Sequence, residues 1–327
     1  HRGAGAHRVN VDHRRSALSS SRSGVVVAVA AVVLAACGSS SDRSGSALSG
    51  HDGSHAGASL APAVSMGQPD RPITGPQGAV GQFVVECELS HVAPDDPIVY
   101  PGRPGESHLH AFFGNEAVTA SSTLEDLLGA STSCDDVRDT AAYWVPVLFD
   151  EGEVVAPTYA VAYYRAGLGV DPTSVQSYPP GLTMIAGDPL ATGPQPVSVV
   201  AWSCGIGSRR DVLPPTCDSG APLRLDVTFP DCWDGVNLDV PGHRGHLRYS
   251  NGGRCPESHP TAIPQLVLSV TYPVHGDVSD MRLASGSLLS GHADFVNSWD
   301  QEELESEVDL CIRRQNVCRI SSGRMPF

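Results

Sequence analysis

The chain has 327 residues and a formal charge of −15, from 36 acidic and 21 basic side chains. An acidic surface repels phosphate backbones, so we expect no nucleic-acid partner, whereas cations and neutral glycans remain compatible with this charge.

The N-terminal segment has the form of a bacterial secretory signal. Residues 1–24 carry five arginines, and residues 25–36 are an unbroken apolar run. Twelve apolar residues are too few to span the roughly 30 Å hydrocarbon core of a bilayer as a helix. The run ends in the sequence LAAC at Cys37, which resembles the lipobox of bacterial lipoproteins. We therefore expect residues 1–36 to be a signal peptide, and a lipid on Cys37 to anchor the protein to the extracytoplasmic side of the cell membrane.

Composition divides the remaining chain into three parts. Residues 37–78 are rich in Ser, Gly, Ala and Pro, which is typical of a flexible tether. Residues 79–320 contain short apolar and β-branched segments between turn residues, and residues 321–327 are a C-terminal tail. The regular spacing of the short segments in residues 79–320 predicts a single all-β domain, a sandwich or jelly roll. The predicted strands are 82–89, 141–149, 154–164, 197–202, 223–229 and 265–272.

Local turn and capping signals add detail to this prediction. The residues Asp150-Glu151-Gly152 predict a hairpin between two strands. A short helix is expected over residues 123–129, and a second is expected from a Ser298 cap through residue 309, with Leu304, Val308 and Cys311 on one face.

The cysteines agree with export. Cys37 set aside, eight remain, and an even number in an exported chain indicates four disulfides. A thiolate zinc site would want closer cysteine pairs than the chain offers. Of the many pairings that eight cysteines allow, we predict that sequence neighbours pair: Cys87–Cys134, Cys204–Cys217, Cys232–Cys255 and Cys311–Cys318.

The densest chemical signal lies in residues 96–115. His108 and His110 are two positions apart, so on a strand both imidazoles share one face while Leu109 points to the core. His292 and Asp294 repeat this spacing. These four residues are the candidate metal ligands, and the alternative is a set of hydrogen-bonded structural histidines.

Other polar residues suggest further roles. Asp231 and Asp234 flank a cysteine that a disulfide would fix, and His246 lies in a stretch rich in His and Arg, so these three are candidate catalytic groups. An aromatic ring beside carboxylates suits stacking on a sugar. The candidate substrate-binding residues are therefore Tyr100, Trp233 and His259, although a lone Trp is more often buried.

Several motifs together resemble the domain-of-unknown-function family numbered nineteen ninety-six. They run from Asp96 to Cys311 and comprise SHLHAFFGN, AYWVPVL, YPPGLTMIAGD, WSCG, FPDCWDG, HRGHLRY, CPESHP and SGHADFVNSWD. The resemblance implies a secreted β-rich domain, found in bacteria and fungi, that in fungi can accompany carbohydrate-binding modules. It implies no reaction.

Three hypotheses follow for the function. The first is a metal-dependent hydrolase or lyase acting on extracellular polysaccharide, with zinc, copper or manganese at a His/Asp cluster; a metal-free variant would use two carboxylates. The second is a non-catalytic envelope protein that binds a glycan or a metal. The third gives every histidine a structural role.

Overall fold

A computed structural model describes residues 74–75, 78–79 and 81–318 of the chain. The predicted signal peptide, Cys37 and most of the tether lie outside the described residues, as does the tail. None of the helices in the described part of the chain combines the length and the apolar character that a membrane span requires.

The described chain is built mainly from short strands. In chain order they are β1 (Thr74–Gly75), β2 (Gly78–Ala79), β3 (Gln82–Cys87), β4 (Leu89–Ala93), β5 (His110–Gly114), β6 (Ala142–Pro146), β7 (Leu148–Asp150), β8 (Glu153–Val155), β9 (Tyr159–Arg165), β10 (Thr183–Gly187), β11 (Val200–Cys204), β12 (Leu223–Thr228), β13 (Cys232–Trp233), β14 (Leu247–Arg248), β15 (Thr261–Ala262), β16 (Gln265–Tyr272), β17 (Met281–Leu283), β18 (His292–Val296) and β19 (Val317–Cys318).

Two large sheets form a sandwich, which confirms the predicted fold class. One sheet has the strand order β10-β18-β6-β5-β4, and the other has the order β11-β12-β16-β9-β3-β19. All pairs in them are antiparallel except β19 with β3. Smaller sheets join β14-β13-β15, β17-β7-β8 and β1-β2.

Side-chain alternation along the strands separates two hydrophobic clusters. In β5, Ala111 and Phe113 belong to the main core, which also contains residues of the six-stranded sheet such as Leu268 in β16. Phe112 points the other way and joins Trp144 in a smaller cluster on the outer face of the five-stranded sheet. The outer face of this sheet is therefore also covered, and its polar residues lie in a buried environment.

Three of the predicted strands are interrupted. The segment 82–89 comprises β3, which ends at Cys87, and Leu89, which begins β4 in the other large sheet. The segment 141–149 divides at Val147 into β6 and β7, which belong to different sheets. The segment 154–164 divides into β8 and β9 around Pro157, which has no N–H to continue a ladder. The predicted hairpin is confirmed: Glu151 and Gly152 have φ values of 49° and 89° in the two-residue turn that joins β7 to β8.

Helices are few and short. The first predicted helix is confirmed as α1 (Leu124–Leu127), with Thr123 in a capping box. The second, α2 (Gln301–Glu307), continues as a π-helical segment over Val308–Arg313. Its predicted Ser298 cap was wrong, because the Asp300 side chain caps the helix and Ser298 is buried against Thr140. Two 3₁₀ turns lie at Pro172–Ser174 and Leu288–Ser290.

All four predicted disulfides are confirmed. Cysteine pairs at bonding distance are Cys87–Cys134, Cys204–Cys217, Cys232–Cys255 and Cys311–Cys318. Each closes a loop between neighbours in sequence, so the bridges hold loops onto the sandwich and do not rearrange its topology.

Candidate metal centre

Three histidines from separate parts of the chain converge on the outer face of the five-stranded sheet. His110 begins β5, His108 lies two residues before that strand, and His292 begins β18. Strand β6 lies between β5 and β18. Leu109, between the first two histidines, packs against the main core as predicted. The strand order thus brings together side chains that are 184 positions apart in the sequence.

The distances within this group suit a single ion. His108 Nε2 lies 3.2 Å from His292 Nε2. One nitrogen from each of the three rings lies within 4.8 Å of the others. Two imidazole nitrogens bound at 2.0–2.1 Å to a tetrahedral zinc ion would be about 3.3 Å apart. The geometry therefore fits a shared ion with little movement of the rings.

Backbone carbonyls fix the tautomers of two of the histidines. His110 Nδ1 donates to the Asp95 carbonyl at 2.9 Å, and His292 Nδ1 donates to the Ser290 carbonyl at 2.9 Å. Each neutral ring must then present the lone pair of its Nε2 atom. His110 Nε2 is buried and has no hydrogen-bond partner among the described residues. A backbone carbonyl on the far ring nitrogen is the usual support of a metal-binding histidine.

Burial keeps these rings neutral. It lowers the pKa of His292 to about 3, and it lowers the pKa of His110 well below its usual range, with the charges of the neighbouring histidines adding to the effect. Burial also lowers the pKa of His108, which is only partly buried. Neutral imidazole is the form that binds a metal.

Two carboxylates border the histidines. Asp294 Oδ2 is buried, has no hydrogen-bond partner among the described residues, and lies 3.9 Å from His292 Nε2. Burial raises the pKa of Asp294 well above its usual range, and the charge of Asp96 adds to this. Asp96 Oδ1 accepts hydrogen bonds from the amides of Ile98 and Val99, both at 2.9 Å. An oxygen of each carboxylate lies within 4.8 Å of a His110 nitrogen.

Aromatic side chains support the group from one side. Phe112 lies between His91, whose ring stacks on it at 4.6 Å, and His110, whose ring meets it edge-on at 6.1 Å. Trp144 packs against Phe112 at 5.6 Å and faces Asp294 in the strand register. Asp96 and His91 were not singled out from the sequence, since Asp96 looks like an ordinary turn residue and His91 stands alone in its strand.

The three candidate catalytic residues lie elsewhere. Asp231 is buried, and its Oδ1 accepts from the Ser250 amide at 2.7 Å. Asp234 closes a turn, and although burial opposes the effect, hydrogen bonds from Asn237 lower its pKa. His246 donates from Nε2 to the Thr183 carbonyl at 2.9 Å. In the described part of the chain, none of the three belongs to a converging set of metal-ligating atoms.

The candidate substrate-binding residues are also dispersed. Tyr100 is partly exposed, with the Arg103 guanidinium 5.4 Å above its ring. Trp233 is partly buried, and its Nε1 donates to the Asn237 carbonyl. His259 is buried and bonded through both ring nitrogens, to Ser258 Oγ and to the Gly245 carbonyl, each at 2.9 Å. His259 therefore has the structural role that was the alternative for each histidine.

Residues 96–299 match the family described as Domain of unknown function (DUF1996). The chain belongs to this family. The match begins at Asp96 and ends at Trp299, so all three histidines and both carboxylates of the cluster lie inside it. No curated protein and no solved structure matches the chain.

Proposed function

We propose that His108, His110 and His292 bind a divalent transition-metal ion, and that this ion serves a hydrolase or lyase acting on extracellular polysaccharide. The observation that carries the proposal is the buried Nε2 atom of His110, which has no hydrogen-bond partner among the described residues, beside the buried Nε2 atom of His292, which faces His108 Nε2 at 3.2 Å. A backbone carbonyl on the opposite ring nitrogen orients each of these two rings. Three imidazoles without sulfur suit zinc or copper better than manganese, which prefers oxygen ligands.

The number of ligands favours a catalytic centre. Structural zinc sites have four protein ligands, whereas catalytic sites have three and keep a position open for water or substrate. His108 is the least buried of the three histidines, so water or a substrate would reach the cluster from its side. A metal there would act as a Lewis acid on water or a sugar oxygen. Asp294, whose Oδ2 is unbonded, is the group positioned to move a proton.

The substrate class rests on the predicted cellular location and on the family. A lipobox at Cys37 would place the domain outside the cytoplasm, with residues 37–78 as a spacer from the membrane. The family resemblance adds an association with carbohydrate-binding modules. Together they favour a polysaccharide of the cell envelope or its surroundings as the target.

A second candidate is a non-catalytic protein that binds a metal or glycan at the same centre. The burial of the cluster favours it, since His110, His292 and Asp294 are at most 2% exposed. A polymer would then reach the ion only from the side of His108.

A turnover screen separates the two candidates. The full chain, purified in detergent, is loaded with zinc or copper and incubated with a panel of polysaccharides. New reducing ends report hydrolysis, and ultraviolet absorbance of an unsaturated product reports a lyase. We expect product from the loaded chain, loss of product after chelation and in His292→Asn, and retention in His275→Asn, whose exposed ring bonds the Asp218 carbonyl.

Product that survives both chelation and the His292→Asn substitution would contradict the metal-dependent enzyme. Metal-dependent glycan binding without any product would instead support the non-catalytic candidate.

A further inference from the structure

A pocket adjoins the histidine cluster on the β10 side. Its volume is about 330 Å³, and its lining includes one carboxylate, Asp188, together with Ile185, Gly187, Arg244, Arg248 and Tyr249. In the strand register Ile185 faces Asp294, and Gly187 faces His292. This volume lies at the lower end of the range of about 300–1,000 Å³ that is typical of ligand pockets.

Arg244 is held against β10, the strand that pairs with β18 of the cluster. The Arg244 guanidinium donates to the Ile185 carbonyl at 3.3 Å. The pocket and the cluster are thus near enough for one ligand to engage both.

Neither arginine of the pocket is paired with a carboxylate. Arg248 Nη1 donates to the carbonyls of Leu247 at 2.7 Å and Arg244 at 3.2 Å. Among the described residues, no carboxylate oxygen lies within ion-pair distance of Arg244 or Arg248. In a chain of charge −15, two guanidiniums that line one pocket and donate only to neutral carbonyls retain donors for an external anion.

The loop that carries these arginines is held in place by two histidines that the sequence singled out. His246 Nε2 donates to the Thr183 carbonyl of β10, and His259 Nε2 donates to the Gly245 carbonyl. Tyr249 closes one side of the pocket, and its hydroxyl donates to the Thr228 carbonyl at 2.8 Å. These bonds fix the loop, so a ligand would meet arginines and an aromatic ring that are already positioned.

We propose that this pocket binds the carboxylate of an acidic sugar, so that the ligand of the adjoining centre is a polysaccharide containing uronic acid. The inference rests on the proposed function and names its substrate class. An arginine fork matches a carboxylate with two parallel hydrogen bonds, and a sugar ring suits an aromatic wall. The net acidity of the chain repels a polyanion at long range, so recognition comes from these local contacts.

Calorimetric titration of the full chain loaded with zinc tests the proposal. The probes are trigalacturonate, neutral galactotriose, free glucuronate and inorganic phosphate. We expect trigalacturonate to bind at least about tenfold more tightly than galactotriose, because a hydrogen bond to a charged group contributes about 1.5–3 kcal/mol. Arg244→Gln and Arg248→Gln should each weaken trigalacturonate about ten- to hundredfold. Arg282→Gln, which removes an exposed guanidinium over the Phe149 ring, should leave binding unchanged.

Arg244→Lys provides a second variant that keeps the charge but loses the fork, and we expect it to restore binding only in part. Thermal unfolding verifies that each variant is folded. Equal affinity for the acidic and neutral trisaccharides, or affinity unchanged in both glutamine variants, would overturn the proposal. Phosphate binding as tightly as trigalacturonate would also overturn it, since the pocket would then be a general anion site.

Metal content, measured on the same samples, distinguishes this failure from that of the proposed function. Arginine-dependent trigalacturonate binding by a chain that holds no metal would support the pocket and contradict the metal centre. Metal-dependent turnover of neutral glycans that is unaffected by substitution of either arginine would support the metal centre and contradict the pocket.

Discussion

Removing the proposed metal should destabilise the fold by a predictable amount. An ion that binds only the native state stabilises it by about 2.7 kcal/mol when its free concentration is 100 times its dissociation constant. For a domain of about 240 residues, each kcal/mol shifts the melting temperature by about 2–4 °C. Chelation is therefore expected to lower the melting temperature by about 5–11 °C.

The structure indicates that little of this stabilisation is lost to rearrangement. His108 Nε2 and His292 Nε2 are already 3.2 Å apart, near the separation of two ligands on one zinc ion. The rings of His110 and His292 are held by carbonyls and stand at the ends of hydrogen-bonded strands. An ion would connect β5 to β18, which lie on either side of β6. These two strands separate when the domain unfolds.

Circular dichroism melting of the full chain measures the effect, with zinc or with a chelator and without reductant, so that the disulfides stay intact. We expect the zinc-dependent shift in the native chain and in His275→Asn, and its absence in His292→Asn. An equal shift in His292→Asn would show that the stabilising ion lies elsewhere and would contradict this prediction.

Two further predictions concern the scaffold. Loop-closure entropy predicts that replacing Cys87 and Cys134 by Ala costs about 4 kcal/mol, whereas replacing Cys311 and Cys318 costs about 2 kcal/mol, since the bridges span 47 and 7 residues; urea unfolding of both double variants would show this order or contradict it. Burial raises the pKa of Asp139 well above its usual range, so the native state retains a proton that the unfolded chain releases near pH 4. The contribution of Asp139 to the free energy of unfolding should then fall as pH rises above about 4, so the stability of Asp139→Asn relative to the native chain should increase over the same range. Parallel pH profiles for the two proteins would contradict this.

Much of the fold could be predicted from local sequence. Short β-branched segments between turn residues indicated a sandwich, and the Glu151-Gly152 turn specified a hairpin because both residues adopt positive φ. The cysteine count indicated four disulfides but left their connectivity open, and the structure joins neighbours in sequence. The interruption at Val147 could not be predicted, because it depends on two sheets competing for one apolar run.

The candidate site was predictable in its parts and not in its assembly. The i, i+2 spacing identified His108 with His110 and His292 with Asp294, since alternation along a strand is a local property. Their meeting across β6 depends on strand order, which nothing local specifies. For the same reason the sequence could not separate these histidines from His246, whose ring anchors a loop.

Elemental analysis of the purified chain tests the metal centre most directly. The protein is loaded with zinc or copper, freed of excess ion and compared with His110→Asn, His292→Asn and the control His275→Asn. We expect one bound ion per chain in the native protein and the control, and loss of that ion in both cluster variants. Bound metal that is unchanged in His110→Asn and His292→Asn would show that these histidines are not the ligands.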